Sequence, residues 1–167
     1  MKVKDFDLAQ TLESGQCFNF EKIAEEEYLI LAIGRLLHIK QEGDDLIFDC
    51  PEEDIASVWV PYFDLERDYG KIKTAVTEAE PRLAPIVKEF GGTRILDQDF
   101  TETLISFIIS QNKNIPAIKT IVRAICDNFG PEAGKFGGRM WHAFPSLEIL
   151  SGMTEQDFRD LKTGFRA

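Results

Sequence analysis

Short apolar runs separated by turn-forming residues fill the first third of the chain. These runs are rich in Leu, Ile and aromatic residues, and they cover residues 17–20, 28–33, 36–40 and 46–50. Runs of this length, bounded by Gly and charged residues, are typical of β-strands joined by tight turns. Residues 7–13 carry an apolar pair at helical spacing and predict a short helix. The pattern therefore predicts a helix followed by an antiparallel meander.

Helical periodicity replaces this pattern after Pro51. The predicted helices cover residues 52–64, 68–79, 81–90, 98–111, 115–129, 146–150 and 154–162. Asp7, Ser146 and Thr154 stand where helix N-caps are expected, and Thr154 begins a capping box with Asp157 in the usual Glu position. Residues 130–138 are rich in Gly and predict a loop.

Strands come first and helices follow, which predicts an α+β fold. Gly91-Gly92 ends a helix and marks the predicted domain boundary, so we expect an α+β domain over residues 1–92 and an all-helical domain over residues 93–167. A helical domain of about 75 residues leaves apolar faces uncovered. We therefore expect the chain to be the first part of a longer protein, truncated before its last helical elements.

The most apolar stretch of the second half, residues 104–114, ends in a polar cluster. Its sequence is Leu-Ile-Ser-Phe-Ile-Ile-Ser-Gln-Asn-Lys-Asn, which predicts a helix buried nearly all round. Amide side chains carry both donors and acceptors, as the edges of nucleic-acid bases do. Two interpretations of the polar cluster follow from the stretch alone: a loop that closes a buried helix, or a place where amides are presented to a base.

Composition excludes several classes of protein. The chain has 167 residues, of which 44% are hydrophobic, and it contains no apolar run long enough to span a membrane. The N-terminus lacks the apolar core of a signal peptide. Three widely spaced cysteines, Cys17, Cys50 and Cys126, are typical of free thiols in a reducing cytoplasm. Neither histidine has partners at ligand spacing, so we expect no metal and no cofactor.

The net charge of −10 taken alone argues against nucleic acid as a partner. The acidic residues concentrate in the first part of the chain, however. Residues 111–142 carry five cations and two anions, a local charge of +3. A phosphate-binding face in the second half is therefore compatible with the sequence, together with weak nonspecific binding.

Five short motifs resemble the 8-oxoguanine DNA glycosylases, in that family's order and at about its spacing. They are Ser-Gly-Gln-Cys-Phe at 14–18, Tyr-Phe-Asp-Leu-Glu-Arg-Asp-Tyr at 62–69, Ile-Ser-Gln-Asn-Lys-Asn-Ile at 109–115, His-Ala-Phe-Pro-Ser at 142–146 and Gly-Phe-Arg-Ala at 164–167. The resemblance implies a TATA-binding-protein-like antiparallel sheet domain packed on an incomplete helix-hairpin-helix glycosylase domain. It implies removal of 8-oxoguanine from duplex DNA opposite cytosine by base flipping, followed by strand nicking through a Schiff base.

The resemblance assigns roles to residues of this chain. Gly15 matches the glycine whose carbonyl reads the lesion; the alternative is a simple turn glycine. Asn112 matches the asparagine that fills the gap left by the flipped base and contacts the orphaned cytosine. Phe165 and Arg166 match residues that wedge beside this cytosine and contact its edge; the alternatives are a surface aromatic and a solvated cation. Gln111 contacts a base or caps the helix, and both interpretations stay open.

The chain also departs from the family pattern. Lys113 stands where animal relatives have an asparagine, and we expect it to contact DNA; Ala117 stands where they have an arginine. These two departures imply a looser, bacterial type of opposite-base specificity. No residue matches the family's nucleophilic lysine or its aspartate, so no catalytic residue is assigned, and Lys119 and Lys162 lack the surroundings that lower a lysine pKa. His142 lies near DNA or packs beneath Phe144.

We expect the partner to be damaged double-stranded DNA, the protein to be monomeric, and its place to be the bacterial cytoplasm at the nucleoid. Two competing functions remain. One is an alkylated-base DNA glycosylase of the same superfamily, which uses no lysine nucleophile. The other is a noncatalytic DNA-damage-binding module, which the acidic charge favours slightly.

Overall fold

The computed structural model describes residues 1–161 and 163, and the chain divides into two compact units. The first unit comprises Met1–Gln16, Lys22–Tyr28 and His38–Asp97, and the second comprises Cys17–Glu21, Leu29–Leu37 and the chain from Gln98 onward. The predicted domain boundary after residue 92 stays a prediction. Within the described part of the chain, every helix is too short or too polar to cross a membrane.

The predicted meander is confirmed as a four-stranded antiparallel sheet in the order β1-β2-β3-β4. The strands are β1 (Phe20–Ala24), β2 (Glu27–Ala32), β3 (Arg35–Glu42) and β4 (Asp45–Asp49). Glu42 pairs with Asp45 across a two-residue turn in which Gly43 has a φ of 60°. Burial alternates along β3, so that Leu37, Ile39 and Gln41 point to one buried face. The first strand begins at Phe20, the last residue of the range predicted for it.

The helices of the first unit follow the predicted pattern. Helix α1 (Leu8–Glu13) begins at Asp7, whose carboxylate accepts a hydrogen bond of 2.8 Å from the Gln10 amide. A continuous helical stretch follows the sheet, formed by α2 (Glu52–Asp54), a π-helical turn (Ile55–Trp59) and α3 (Val60–Tyr62). After it come α4 (Tyr69–Ala79), a 3₁₀ turn (Pro81–Leu83) and α5 (Ala84–Phe90).

Aromatic rings hold the first unit together. Tyr62 and Phe63 meet edge to face with ring centroids 5.0 Å apart. The Trp59 ring lies 5.7 Å from Tyr62 and 6.3 Å from Phe63, and the Phe6 ring lies 5.7 Å from Phe63. Such edge-to-face pairs add to the stabilisation that comes from burying the rings. The Arg94 guanidinium lies 5.9 Å from the centre of the Phe6 ring, at the side of this cluster.

The second unit contains α6 (Phe100–Ser110), α7 (Ile115–Phe129), α8 (Leu147–Ser151) and α9 (Glu155–Asp160). One face of α7 forms its core with Ile109 of α6 and Leu150 of α8. Ser146 and Thr154 cap α8 and α9, and the predicted capping box of Thr154 and Asp157 is present. The amphipathic helix predicted at 115–129 is confirmed with these bounds.

Helix α6 differs from its prediction, because it is not buried nearly all round. Only Ser106 and Ile109 are buried, whereas Leu104 and Ile108 are exposed and Phe107 exposes 64% of its surface. Its packing against α7 covers one side of α6. Most apolar side chains of α6 are therefore not buried by the described part of the chain.

The second part of the chain is also not all-helical, so that prediction was wrong. The predicted Gly-rich loop, residues 130–138, contains β5 (Glu132–Phe136) and the turn of a hairpin whose second strand is β6 (Arg139–His142). Gly137 and Gly138 join the strands with φ values of 59° and 78°. A two-residue turn with both φ values positive matches the twist of a hairpin, and glycine adopts it without strain.

Candidate nucleic-acid interface

The Ser14-Gly15-Gln16 turn lies in the first unit, directly after α1. Gly15 has a φ of 86°, which a residue with a Cβ rarely adopts. Ser14 ends α1, and its hydroxyl donates to the Thr11 carbonyl at 2.8 Å. The glycine is therefore required by the backbone, which fits both predicted interpretations of Gly15, a turn glycine and a reader of the lesion.

Gln16 is a residue of this turn that sequence reasoning missed. Its amide nitrogen donates to the Arg94 carbonyl at 2.8 Å, and its amide oxygen accepts from the Leu96 amide at 2.9 Å. These partners are 78 and 80 residues away in sequence, so no local pattern points to them. The only available signal was the position of Gln16 beside Gly15 in the motif.

The polar turn after α6, residues 110–114, lies in the second unit. Asn112 is exposed at its apex with a φ of 60°, a left-handed conformation that Asn tolerates better than most residues with a Cβ. The Lys113 amide donates to the Ser110 carbonyl at 3.1 Å and closes the turn. The backbone thus presents the Asn112 side chain at the end of a packed helix.

The next helix fixes the other end of this turn. The Asn114 side chain caps α7 by accepting from the Ala117 amide at 3.0 Å. Gln111 is exposed where α6 ends, and Lys113 is partly buried. Both interpretations of Gln111 therefore stay open, and the DNA contacts of Gln111, Asn112 and Lys113 stay predictions.

Phe165 and Arg166, the other two predicted contacts to the opposite base, lie outside the described residues, as does Lys162. Their roles stay predictions. Thr163 is described and buried, and its hydroxyl donates to the Phe158 carbonyl at 2.7 Å.

Aromatic rings orient three of the five cations in the +3 stretch. The Lys119 ammonium lies 3.3 Å from the centre of the Phe20 ring, and Arg123 and Arg139 lie 4.1 and 4.6 Å from that of Trp141. Arg139 also pairs with Asp127 at 2.8 Å. Cation–π contact keeps the charge but fixes the side chain. Three cations of the +3 stretch are therefore held against aromatic rings of the protein.

His142 lies beside the same carboxylate. Its Nδ1 atom is 3.6 Å from Asp127 Oδ1, and His142 is the last residue of β6. Among the described residues, no group of three His, Cys, Asp or Glu side chains is placed to hold a metal ion.

A buried polar group lies beneath the helices of the second unit. Asn19 is 4% exposed, and its amide donates to the Cys126 sulfur at 3.4 Å. Burial raises the pKa of Cys126 to about 12, so its thiol stays protonated and unreactive at neutral pH. Burial, with Asp99 nearby, also raises the pKa of Glu102 to about 8. The inert thiol agrees with a structural role for Cys126.

Comparison with known families decides where the chain belongs. The model of the N-terminal domain of 8-oxoguanine DNA glycosylase matches residues 1–104, which include the Gly15 turn and the whole four-stranded sheet. The chain belongs to the 8-oxoguanine DNA glycosylase family. The resemblance inferred from five motifs is thereby confirmed.

Individual members of the 8-oxoguanine DNA glycosylase family align with nearly all of the chain. The N-glycosylase/DNA lyase OGG1 of Arabidopsis thaliana is 28% identical over 98% of this chain, and the N-glycosylase/DNA lyase of Saccharomyces cerevisiae is 32% identical over 96%. The structure of the Clostridium acetobutylicum 8-oxoguanine glycosylase/lyase, in complex with double-stranded DNA containing cytosine opposite 8-oxoG, has a TM-score of 0.91 and 36% identity over 97% of the chain.

The chain spans about half the length of these glycosylases. It covers 46% of the Arabidopsis and yeast proteins and 56% of the Clostridium chain. The family and the α+β fold are therefore established for this chain, whereas the chemistry of the whole protein is a matter of proposal.

Proposed function

We propose that the full-length protein excises 8-oxoguanine from duplex DNA and nicks the strand as a DNA glycosylase and AP lyase. The observation that carries this proposal is the Gly15 turn, inside the region that matches the family model. Guanine presents N7 as an acceptor, whereas 8-oxoguanine carries a hydrogen there and becomes a donor. A backbone carbonyl at Gly15 accepts a hydrogen bond from the lesion and repels normal guanine.

Base flipping needs a group that occupies the vacated space. Asn112, exposed at the apex of the polar turn, is our candidate, since a polar wedge offsets part of the few kcal/mol that flipping costs. Phe165 and Arg166 are proposed to contact the orphaned cytosine. Because Ala117 is too short to donate to a base, we propose a relaxed requirement for the opposite base. The nucleophilic lysine and its aspartate are proposed to lie in the rest of the full-length protein.

The proposed lyase chemistry is tested by borohydride trapping with the full-length protein. A Schiff base between a lysine and the sugar C1′ is reduced to a stable covalent adduct. We expect an adduct and a nick on duplexes with 8-oxoguanine, and neither on matched guanine duplexes. Duplexes with each of the four opposite bases measure the proposed relaxation.

The other outcomes separate the competing functions. Base release without an adduct contradicts the lyase and points to a glycosylase that uses water directly. Binding without base release contradicts enzymatic function on this lesion altogether.

Removing the Asn112 side chain is expected to weaken binding of lesion DNA by about 5- to 150-fold, the range for one base-edge contact worth about 1–3 kcal/mol. Asn112→Gly is the preferred variant, because glycine accepts the φ of 60° whereas alanine adds backbone strain. Fluorescence anisotropy with a lesion duplex measures the affinity of the full-length protein.

Asn128→Ala is the matched control. Asn128 is exposed near the far end of α7, where its amide donates to the Ala124 carbonyl at 2.8 Å. This variant should bind lesion DNA as the wild type does. If Asn112→Gly binds normally, the wedge role is wrong and the turn merely closes α6.

A further inference from the structure

The side-chain amide of Gln16 makes the two backbone hydrogen bonds that a residue of a neighbouring parallel strand would make. Residues 94–96 lie outside the sheet, yet Gln16 bonds to the Arg94 carbonyl and to the Leu96 amide at 2.8 and 2.9 Å. One residue of a parallel strand makes this pair of bonds, to a carbonyl and to the amide two residues later. The same amide nitrogen also lies 3.2 Å from the Thr11 carbonyl and 3.0 Å from the Ser14 hydroxyl. Gln16 therefore ties both ends of the Gly15 turn to one segment.

The segment to which Gln16 is tied is itself firmly held. Arg94 is 1% exposed, and its guanidinium donates to the Lys4, Asp64 and Arg67 carbonyls. The Arg94 backbone amide donates to the Thr11 hydroxyl at 3.2 Å, so this segment is also hydrogen-bonded to α1. The anchor of Gln16 is thus a buried arginine held at three backbone positions.

The Gly15 carbonyl belongs to the peptide unit that joins Gly15 to Gln16. Its direction is set by ψ of Gly15 and φ of Gln16, and glycine leaves ψ almost unrestricted. A carbonyl that discriminates by repelling an acceptor works only when it cannot rotate away, because a free carbonyl relieves the repulsion by turning. The fixed end of this peptide unit is Gln16.

We propose that Gln16 is the positioning residue for lesion discrimination, holding the Gly15–Gln16 peptide so that its carbonyl rejects normal guanine. This inference rests on the proposed function, in which Gly15 reads the lesion. The ligand is the oxidised purine. Gln16 acts through the peptide unit and makes no contact with the base in this proposal. Replacing Gln16 therefore raises the affinity for guanine relative to 8-oxoguanine without lowering the affinity for abasic DNA.

Gln10 supplies a matched control within the same unit. Its amide also bridges two backbone groups at the end of α5, donating to the Glu89 carbonyl in the last turn at 2.9 Å and accepting from the Gly92 amide after the helix at 3.1 Å. Gln10 lies in α1, away from the Gly15–Gln16 peptide. Gln10→Met and Gln16→Met each remove a side-chain amide that bridges two backbone groups, at residues 89 and 92 and at residues 94 and 96 respectively. Only Gln16 is part of the peptide unit that contains the Gly15 carbonyl.

The test compares the affinities of the full-length protein for duplexes that carry 8-oxoguanine, guanine or an abasic-site analogue. A 2′-fluorine on the purine nucleosides blocks base loss during the measurement. For Gln16→Met we expect the ratio of 8-oxoguanine to guanine affinity to fall by about fivefold or more, the low end for one base contact. Abasic-site affinity should stay within about twofold. Gln10→Met should keep the wild-type ratio.

Each other outcome has a definite meaning. An unchanged ratio in Gln16→Met, or equal losses on lesion and abasic DNA, overturns the positioning role. Gln16→Glu keeps the acceptor for Leu96 and serves where Gln16→Met fails to fold; its ratio should also fall, because a carboxylate then faces the Arg94 carbonyl. A wild-type protein without preference for 8-oxoguanine contradicts the proposed function itself, before any variant is measured.

Discussion

Replacing Arg94 with methionine is expected to lower the free energy of unfolding by about 3–5 kcal/mol. The guanidinium is buried, donates to the Lys4, Asp64 and Arg67 carbonyls at 2.8, 3.3 and 3.0 Å, and lies 3.9 Å from the centre of the Tyr69 ring. Methionine keeps most of the apolar stem but removes the donor to the Lys4 and Asp64 carbonyls, whereas the Arg67 carbonyl still accepts from the Tyr69 amide at 3.0 Å. Urea unfolding followed by tryptophan fluorescence measures the change.

The expected destabilisation by Arg94→Met depends on two opposing effects, the cost of burying the guanidinium and the hydrogen bonds that it makes. Burial lowers the pKa of Arg94, which shows that its surroundings disfavour the charge. Hydrogen bonds from a charged donor offset this cost while they are intact. The loss on substitution is therefore mainly the desolvation of the Lys4 and Asp64 carbonyls, and it exceeds the net contribution of the intact group.

Arg82→Met is the control for the loss of an arginine as such. Arg82 is exposed and pairs with Glu80, with its guanidinium donating at 2.6 and 2.8 Å to the two carboxylate oxygens. Exposed ion pairs contribute little to stability because water and salt screen the two charges, so this variant should unfold nearly as the wild type does. If Arg94→Met and Arg82→Met destabilise the protein equally, Arg94 is not the anchor of the 94–96 segment.

Local signals in the sequence located the helices well. Asp7, Ser146 and Thr154 were predicted as N-caps, and each accepts the expected hydrogen bond from its first helical turn. A cap depends only on residues three or four positions apart, so a sequence pattern contains all of the information. The same holds for the amphipathic face of α7, which forms one side of the second unit's core.

Nonlocal contacts account for what the sequence did not predict. Gln16 and Arg94 act through partners up to 90 residues away, and no periodicity marks such contacts. The glycines of residues 130–138 predict a loop, although Gly137-Gly138 between Phe136 and Arg139 also fits the tight turn of the β5–β6 hairpin. Composition alone cannot separate these two uses of glycine.

The sequence motifs point to the candidate site residues, but they do not predict the backbone conformation of these residues. Gly15 and Asn112 were singled out by resemblance, and the structure adds that both have positive φ values, 86° and 60°. Positive φ at a residue with a Cβ is uncommon, and such positions cluster at functional sites. Sequence alone cannot reveal this conformation for Asn112, because Asn also occurs freely in ordinary turns.

Replacing Glu102 with glutamine is expected to stabilise the protein at pH 8 by about 2 kcal/mol. Burial, with a smaller effect from Asp99, raises the pKa of Glu102 from its ordinary 4.5 to about 8, and the Asn19 amide opposes this shift. Each pKa unit is worth about 1.4 kcal/mol, and the partial exposure of the residue screens part of that energy. The helix N-terminus favours the carboxylate by only about 0.3–1 kcal/mol, so burial dominates.

The sign of the pH dependence follows from proton linkage. Between the ordinary pKa and about 8, the folded protein keeps the Glu102 proton whereas the unfolded chain releases it. The contribution of Glu102 to stability is therefore fully present below about pH 4.5 and is lost as the pH rises towards 8. Glutamine resembles the protonated acid and removes this slope. Thermal unfolding from about pH 5 to about pH 8.5 should show the two proteins converging at the acidic end.

Glu148→Gln is the control, and it should act in the opposite direction. Glu148 is exposed in the first turn of α8, where a carboxylate favours the helix by about 0.3–1 kcal/mol, so its loss should slightly destabilise the protein. Glu102 also occupies a first turn, in α6, and helix position alone would give both variants the same sign. If the two variants change the free energy of unfolding at pH 8 in opposite directions, the burial of Glu102 near Asn19 and Cys126 is the cause. If wild type and Glu102→Gln show the same pH dependence of unfolding, Glu102 is solvated.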